Sequence, residues 1–141
     1  MRVRSIRMLT AGVLAAIGVV HVAWGRGSTF PFTDRRTMND TVIGRDATPS
    51  AVECFAVAGA LFVAAGLVAD IPVGRRWDRR IGRCVVALVL GSRGAVGLAG
   101  RTDVLVPGST SPTFRRADRT VFAPLCVVLA CGAAVSVPGR S

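Results

Sequence analysis

Four long apolar stretches, separated by polar and charged segments, set the rhythm of this chain. The first runs from Met8 to Trp24 behind the basic start Met1-Arg-Val-Arg-Ser-Ile-Arg7. The second is Ser50 to Ala69 (SAVECFAVAGALFVAAGLVA), the third about Arg83 to Gly100 and the fourth about Thr120 to Val137. Each approaches the roughly 17–25 residues that a helix needs to cross a bilayer. Alanine, glycine and valine dominate all four, a composition that serves a soluble core poorly but lets helices approach closely in lipid. Almost nothing amphipathic is left to face water. The pattern predicts an all-α fold: one transmembrane domain over residues 1–141, an integral membrane four-helix bundle with transmembrane helices at about 8–25, 50–69, 83–100 and 120–137.

The first stretch also has the basic start and apolar middle of a signal peptide. Cleavage after Ala23 would place His21 at the minus-three position, where small residues are wanted, so a retained helix is expected. Between the stretches, Gly25 to Pro49 reads as a polar loop with at most one short helical turn. Asp70 to Gly82 (DIPVGRRWDRRIG) reads as a short basic loop, and Arg101 to Arg119 contains the turn-forming VPGSTSP. No repeat and no separate soluble domain is evident.

Charge then gives an orientation. The net charge is +10 and every basic residue is an arginine, which reads as the codon bias of a G+C-rich bacterial genome. The arginines flank apolar segments and form no basic face with interleaved aromatics, so nucleic acid is not an expected partner; the lipid bilayer is. With four spans, nine arginines fall on the side of the N-terminus and the second loop, and eight on the other. The totals barely differ, but the first group is packed into short segments close to the membrane, which is how the positive-inside rule weighs them. Both termini are expected in the cytoplasm, in a bacterial plasma membrane.

Within this frame Arg93 stands out, set in the apolar run VLGSRGAVGLAG (Val89 to Gly100). It lies roughly 10 Å below the outer surface at 1.5 Å per residue. Because Cα–Cβ bonds tilt toward a helix's N-terminus, its side chain starts out pointing away from the nearer water, and snorkelling is awkward. Unpaired, it would cost about 2.5–3.5 kcal/mol even on the lenient insertion scale. A carboxylate partner is expected, Glu53 first and Asp118 second. Both have plainer roles open to them: Ser50-Ala-Val-Glu53 is a capping-box pattern, and Asp118 can charge the start of the fourth helix. Gly91, Gly94, Gly97 and Gly100 surround Arg93 and let a neighbouring backbone come close, or leave room for a ligand's anionic head.

His21, the single histidine, falls in the outer half of the first span, with Trp24 one turn later as an interfacial anchor. An interhelical hydrogen bond is its plain role. One histidine cannot give bis-imidazole haem ligation within one chain. Cys54, Cys84, Cys126 and Cys131 show no CxxC and no zinc spacing, and whether Cys54 and Cys126 pair stays open. No cofactor, metal site or catalytic residue is indicated: GxxxxGK[ST], GxSxG, HExxH and GxGxxG are all missing.

Three segments together, HVAWGRGSTFPF (His21 to Phe32), SRGAVG and FRRADRTVFAPLCVVLA (Phe114 to Ala130), resemble the bacterial domain-of-unknown-function family 3995, whose members are small multi-pass membrane proteins. The residues that carry the resemblance are His21, Trp24, Gly25, Gly27, Pro31, Arg93, Phe114, Asp118, Pro124, Leu125 and Cys126. The resemblance implies that Pro-Leu-Cys opens the fourth helix. The chain departs from the family pattern at Phe30, where tryptophan is usual, and lacks the usual tyrosine after the histidine. All these residues fall at or just within the expected outer surface, and none in the inner half.

The sequence supports a non-enzymatic membrane protein that binds a small amphiphile or a membrane partner through His21, Trp24, Arg93 and Asp118. An unfilled pocket beside Arg93 would mark a site, and a carboxylate bonded to it would mark a clasp. A lipid- or quinone-directed enzyme would use His21 as general acid/base and Arg93 to hold an anion. A small dimeric transporter would want a carboxylate near mid-bilayer, and none is expected there. Oligomeric state is not legible.

Overall fold

In lipid no hydrophobic force drives helices together, so close packing and interhelical polar bonds must do so. The fold follows that rule. A computed structural model describes residues 2–45, 47–72, 76–109 and 111–136. The expected end of the fourth span at Val137, and Arg75 and Arg140 of the orientation argument, lie outside the described residues. The described residues are helical without strands, and four helices are long and apolar enough to cross a membrane. These are α1 (Arg2–Gly25), α3 (Ala51–Ala69), α4 (Arg76–Leu98), and a fourth built from α6 (Pro112–Ala117), a π-turn (Asp118–Phe122) and α7 (Ala123–Val135). Two short helices, α2 (Arg35–Val42) and α5 (Thr102–Leu105), cover one end of the bundle, the capped end. Helix α1 begins at the other, basal end.

Glycine sets the pairing. The helix α1 runs antiparallel to α3: a Cβ at Gly18 would lie 2.9 Å from the Phe62 ring, and one at Gly25 3.0 Å from Phe55. Helix α4 runs antiparallel to α7. Gly94 lies so close that a Cβ would sit 3.0 Å from the Ala123 carbonyl oxygen, while Gly91 meets Ala130. The glycine spacing therefore serves close backbone approach. Thr10 against Gly132 joins α1 to α7, and Leu67 against Gly82 joins α3 to α4. Leu14, Ala65, Val68, Leu129, Ala11 and Ala133 form the core inside. Leu9, Val63, Leu88 and Val128 lie exposed around the outside, the apolar coat that a bilayer would cover.

Helices α1 and α4 start earlier than expected, at Arg2 and Arg76, so that Arg76–Gly82 of the expected basic loop is helical; two further boundaries differ, each for a local reason. The fourth helix starts at Pro112, not Thr120, because Ser111 caps it, accepting from Phe114 N–H at 3.2 Å, and Pro112 suits a first turn. Pro124 then lies well inside the helix. It has no N–H for Thr120, and its ring would clash with that carbonyl. The backbone widens there instead, and Ala123 N–H donates to the Asp118 carbonyl. The second correction is α2, longer than the single turn expected, started by Asp34 accepting from Thr37 N–H at 2.8 Å. Backbone and hydroxyl hydrogen bonds from Thr37 hold the Asp34 carboxyl below its ordinary range.

Candidate functional site

Arg93 meets Asp118, not Glu53. Its Nη2 donates to Asp118 Oδ1, with Asp118 wholly buried and the Arg93 side chain 29% exposed. The first-ranked partner is occupied locally: the Glu53 carboxylate accepts from Ser50 N–H at 2.7 Å, and Glu53 N–H donates to Ser50 Oγ at 3.2 Å. A capping box spans one turn and needs no other helix to form, so it takes Glu53 first. Asp118 lies on the π-turn, not ahead of the helix as expected. Single widened turns of this kind inside α-helices frequently fall at functional positions.

The arginine also reaches the way the Cβ tilt opposes. Its Nη1 lies 2.9 Å from where a Cβ on Gly97 would stand, and Asp118 Oδ2 lies 2.6 Å from the same point. Gly97 is one helical turn nearer the capped end. The missing side chain leaves a track along which the guanidinium runs outward, so the glycine makes the snorkelling possible. Nη1 and Oδ2 are buried without a hydrogen-bond partner, both turned against Gly97. The ion pair joins α4 to the fourth helix.

His21 and Trp24 form a separate group. His21 Nδ1 lies 2.9 Å from the Ile17 carbonyl oxygen, which can only accept, so Nδ1 carries the proton. The His21 and Trp24 rings stand 4.9 Å apart between centroids, and Trp24 Nε1–H donates to the Phe30 carbonyl at 2.7 Å. Gly27, at φ 94°, closes α1 and presents its carbonyl to Arg35 Nη2 at 3.1 Å; Pro31 follows in the same exposed turn. The expected four-residue cluster is thus two pairs. No hydrogen bond or ion pair among the described residues joins His21 or Trp24 to Arg93 or Asp118. Phe114 is buried beside Gly44 at the capped end. Pro124, Leu125 and Cys126 are half-buried within the fourth helix and do not open it. All four cysteines are free. No group of three His, Cys, Asp or Glu side chains that could hold a metal ion occurs among the described residues.

The basal end carries a polar cluster that sequence reasoning missed. Asp70 ends α3 in the left-handed conformation at φ 67°. Arg7, Arg79 and Arg83 converge on its carboxylate. Arg7 also donates to the carbonyls of Val68 at 3.2 Å and Ala69 at 3.1 Å. Arg83, only 2% exposed, donates to Leu67 at 2.8 Å and across to Ser136 at 2.9 Å. The last carbonyls of α3, which no helical N–H can satisfy, are closed by cations from two other helices. An aspartate ending a long apolar run, with arginines on both neighbouring apolar segments, was the available signal.

Burial pushes the Asp70 carboxyl up, but Arg83 and Arg7 together outweigh it and leave it below its ordinary range. A lowered folded value means stabilisation that is complete above the ordinary aspartate range, about 4, and lost as pH falls through the lowered value. Thermal stability in detergent is expected to fall below about pH 4, and Asp70→Asn is expected to flatten that fall. An equally steep fall in the variant would contradict the assignment.

One apolar crevice opens between α3 and α4. The two helices touch near the basal end, at Leu67 and Gly82, and part beyond it. The space is about 310 Å³ and is lined by Val57, Ala60, Leu61 and Ala64 of α3, by Val85, Val86, Val89 and Leu90 of α4, with Leu14 of α1. At the capped end a polar cleft of about 510 Å³ lies between α2 and the start of α6, with Arg36, Arg45, Asp40 and Ser111 in its walls. Hydrogen bonds from Ser111 and Thr113 hold the Asp40 carboxyl below its ordinary range.

Over residues 14–133 the chain matches the model of a family described as "Protein of unknown function (DUF3995)". No curated protein matches the chain, and no solved structure does.

Proposed function

We propose, from the premise that this chain belongs to the DUF3995 family, that it is a non-enzymatic integral membrane protein that takes up the tail of a small amphiphile from the bilayer. The α3–α4 crevice, not the Arg93 pair, receives the tail. The observation that carries this reading is the crevice itself: about 310 Å³, lined wholly by apolar side chains, and lying along spans whose surroundings are lipid. A cleft of that kind offers an acyl or isoprenoid chain more contact than the smooth face of a helix.

Arg93 is already neutralised by Asp118, which favours its role as a clasp. The crevice walls hold no polar group able to move a proton, and His21 has Nδ1 committed to its own helix. Both points favour binding over catalysis. The concentration of arginine at the basal end, from Arg2, Arg4 and Arg7 to Arg79, Arg80 and Arg83, supports a cytoplasmic position for that end in a bacterial plasma membrane.

A diazirine-bearing fatty acid, photoactivated on the purified protein, tests the reading. Mapped by peptide mass spectrometry, label is expected on Val57–Ala64 and Val85–Leu90. Label spread evenly over exposed residues such as Leu9, Val19 and Val128 would contradict it.

A further inference from the structure

The cluster around Asp70 holds more positive charge than it neutralises. Three arginines share one carboxylate, and the C-terminus of α3 adds only about half a negative charge. Asp78, exposed in the first turn of α4, is the one other carboxylate at this end among the described residues, and it directly precedes Arg79 and Arg80 in the chain; two carboxylates thus stand against Arg7, Arg79, Arg80 and Arg83. The three cations are not equivalent. Arg7 and Arg83 commit their donors to carbonyls of α3 and to Ser136. Arg79 reaches Asp70 only through Nε, at 3.5 Å.

Directly above this charge runs a groove of about 370 Å³ on the outward face of α3, lined by Phe62, Val63, Gly66, Leu67 and Ile71. It exists because Gly66 has no side chain between Phe62, which turns to Gly18 of α1, and Leu67, which turns to Gly82 of α4. Ile71 closes its basal end, and Asp70 is the residue before it. The groove is apolar and opens sideways, where Val63 is 64% exposed. From Phe62 to Ile71 it covers about 13 Å at the helical rise, enough for much of an acyl chain. An acyl chain lying there brings its phosphate to the level at which α3 ends.

We infer that this groove and Arg79 form a site for an anionic phospholipid, with one acyl chain along Gly66 and the phosphate on the Arg79 guanidinium, whose side chain is 16% exposed. Charge complementarity selects the occupant: a neutral or zwitterionic lipid fills the groove equally well but leaves the excess charge unmet. The site is separate from the α3–α4 crevice, on the opposite side of α3, and does not depend on what that crevice holds.

The test is native mass spectrometry of the full-length protein in detergent, titrated with phosphatidylglycerol or with phosphatidylcholine carrying the same chains. Wild type is expected to retain the anionic lipid about fivefold more than the zwitterionic one, from roughly one effective arginine contact at the membrane surface. Arg79→Gln is expected to remove that preference while keeping its fold, since Arg7 and Arg83 still close α3. Gly66→Leu touches no charge, and its Cβ meets Ile71 Cδ1 at an ordinary 3.7 Å; it is expected to lower retention of both lipids. Ala60→Phe, in the other crevice, is expected to change neither. Equal retention of the two lipids by wild type, an undiminished preference in Arg79→Gln, or unchanged retention by Gly66→Leu would each overturn the inference.

Discussion

Asp118→Leu is expected to destabilise the protein by about 3–5 kcal/mol, the usual cost of leaving one member of a buried ion pair without the other. Asp118 is wholly enclosed and Arg93 bonds to it directly. Remove the carboxylate, and the guanidinium stays against Gly97 with no counter-charge. The double variant Arg93→Met with Asp118→Leu removes both charges and both desolvation costs. It is expected to recover most of the loss, as replaced buried pairs commonly do. A double-mutant cycle by thermal or denaturant unfolding in detergent checks this. A double variant as unstable as the sum of the two single ones would mean that each residue has a partner outside the pair, and the clasp reading would fail.

Arg83 gives the second large effect. It is buried, and its guanidinium ties α4 to α3 through Leu67 and Asp70 and to the fourth helix through Ser136. Arg83→Met leaves the Ser136 carbonyl without its donor and Leu67 with the Asp70 N–H alone, and about 3 kcal/mol is expected to be lost, from one or two charge-assisted hydrogen bonds and an unsatisfied buried acceptor. Arg83→Lys keeps the charge but cannot reach opposite carbonyls with a planar fork. It is expected to restore less than half. Full rescue by lysine, measured by the same unfolding assay, would reduce the contact to simple charge pairing with Asp70.

The architecture was legible because its cause is one-dimensional. Apolar run length fixes how many helices can span, and the four runs of the sequence are the four long helices of the structure. Arg93 was legible for a similar reason: a charge in an apolar run needs a partner, and the candidates were few. What the sequence could not rank was Glu53 against Asp118. That choice depended on a capping box already satisfied within one turn of α3 and on a π-turn that Pro124 imposes further along the fourth helix. Neither effect is visible in residue spacing across helices.

The basal cluster was missed for the opposite reason. Its arginines look like the ordinary flanking charge of a membrane protein, and only the fold shows that Arg7 and Arg83 turn back onto the end of α3. Polar contacts therefore pin both ends of the bundle. Between the two pinned ends the bundle relies on glycine contacts, and it opens between α3 and α4, where the Leu67–Gly82 contact lies at the basal end alone.

The most direct measurement is native mass spectrometry of the protein released gently from its own membrane, with Ala60→Phe and the Arg93→Met, Asp118→Leu double variant beside wild type. The account predicts a bound small amphiphile on wild type and on the double variant, and a loss of it when phenylalanine fills the crevice. An adduct that survives Ala60→Phe and disappears when the arginine is removed would contradict it, and would make Arg93 the ligand-binding residue.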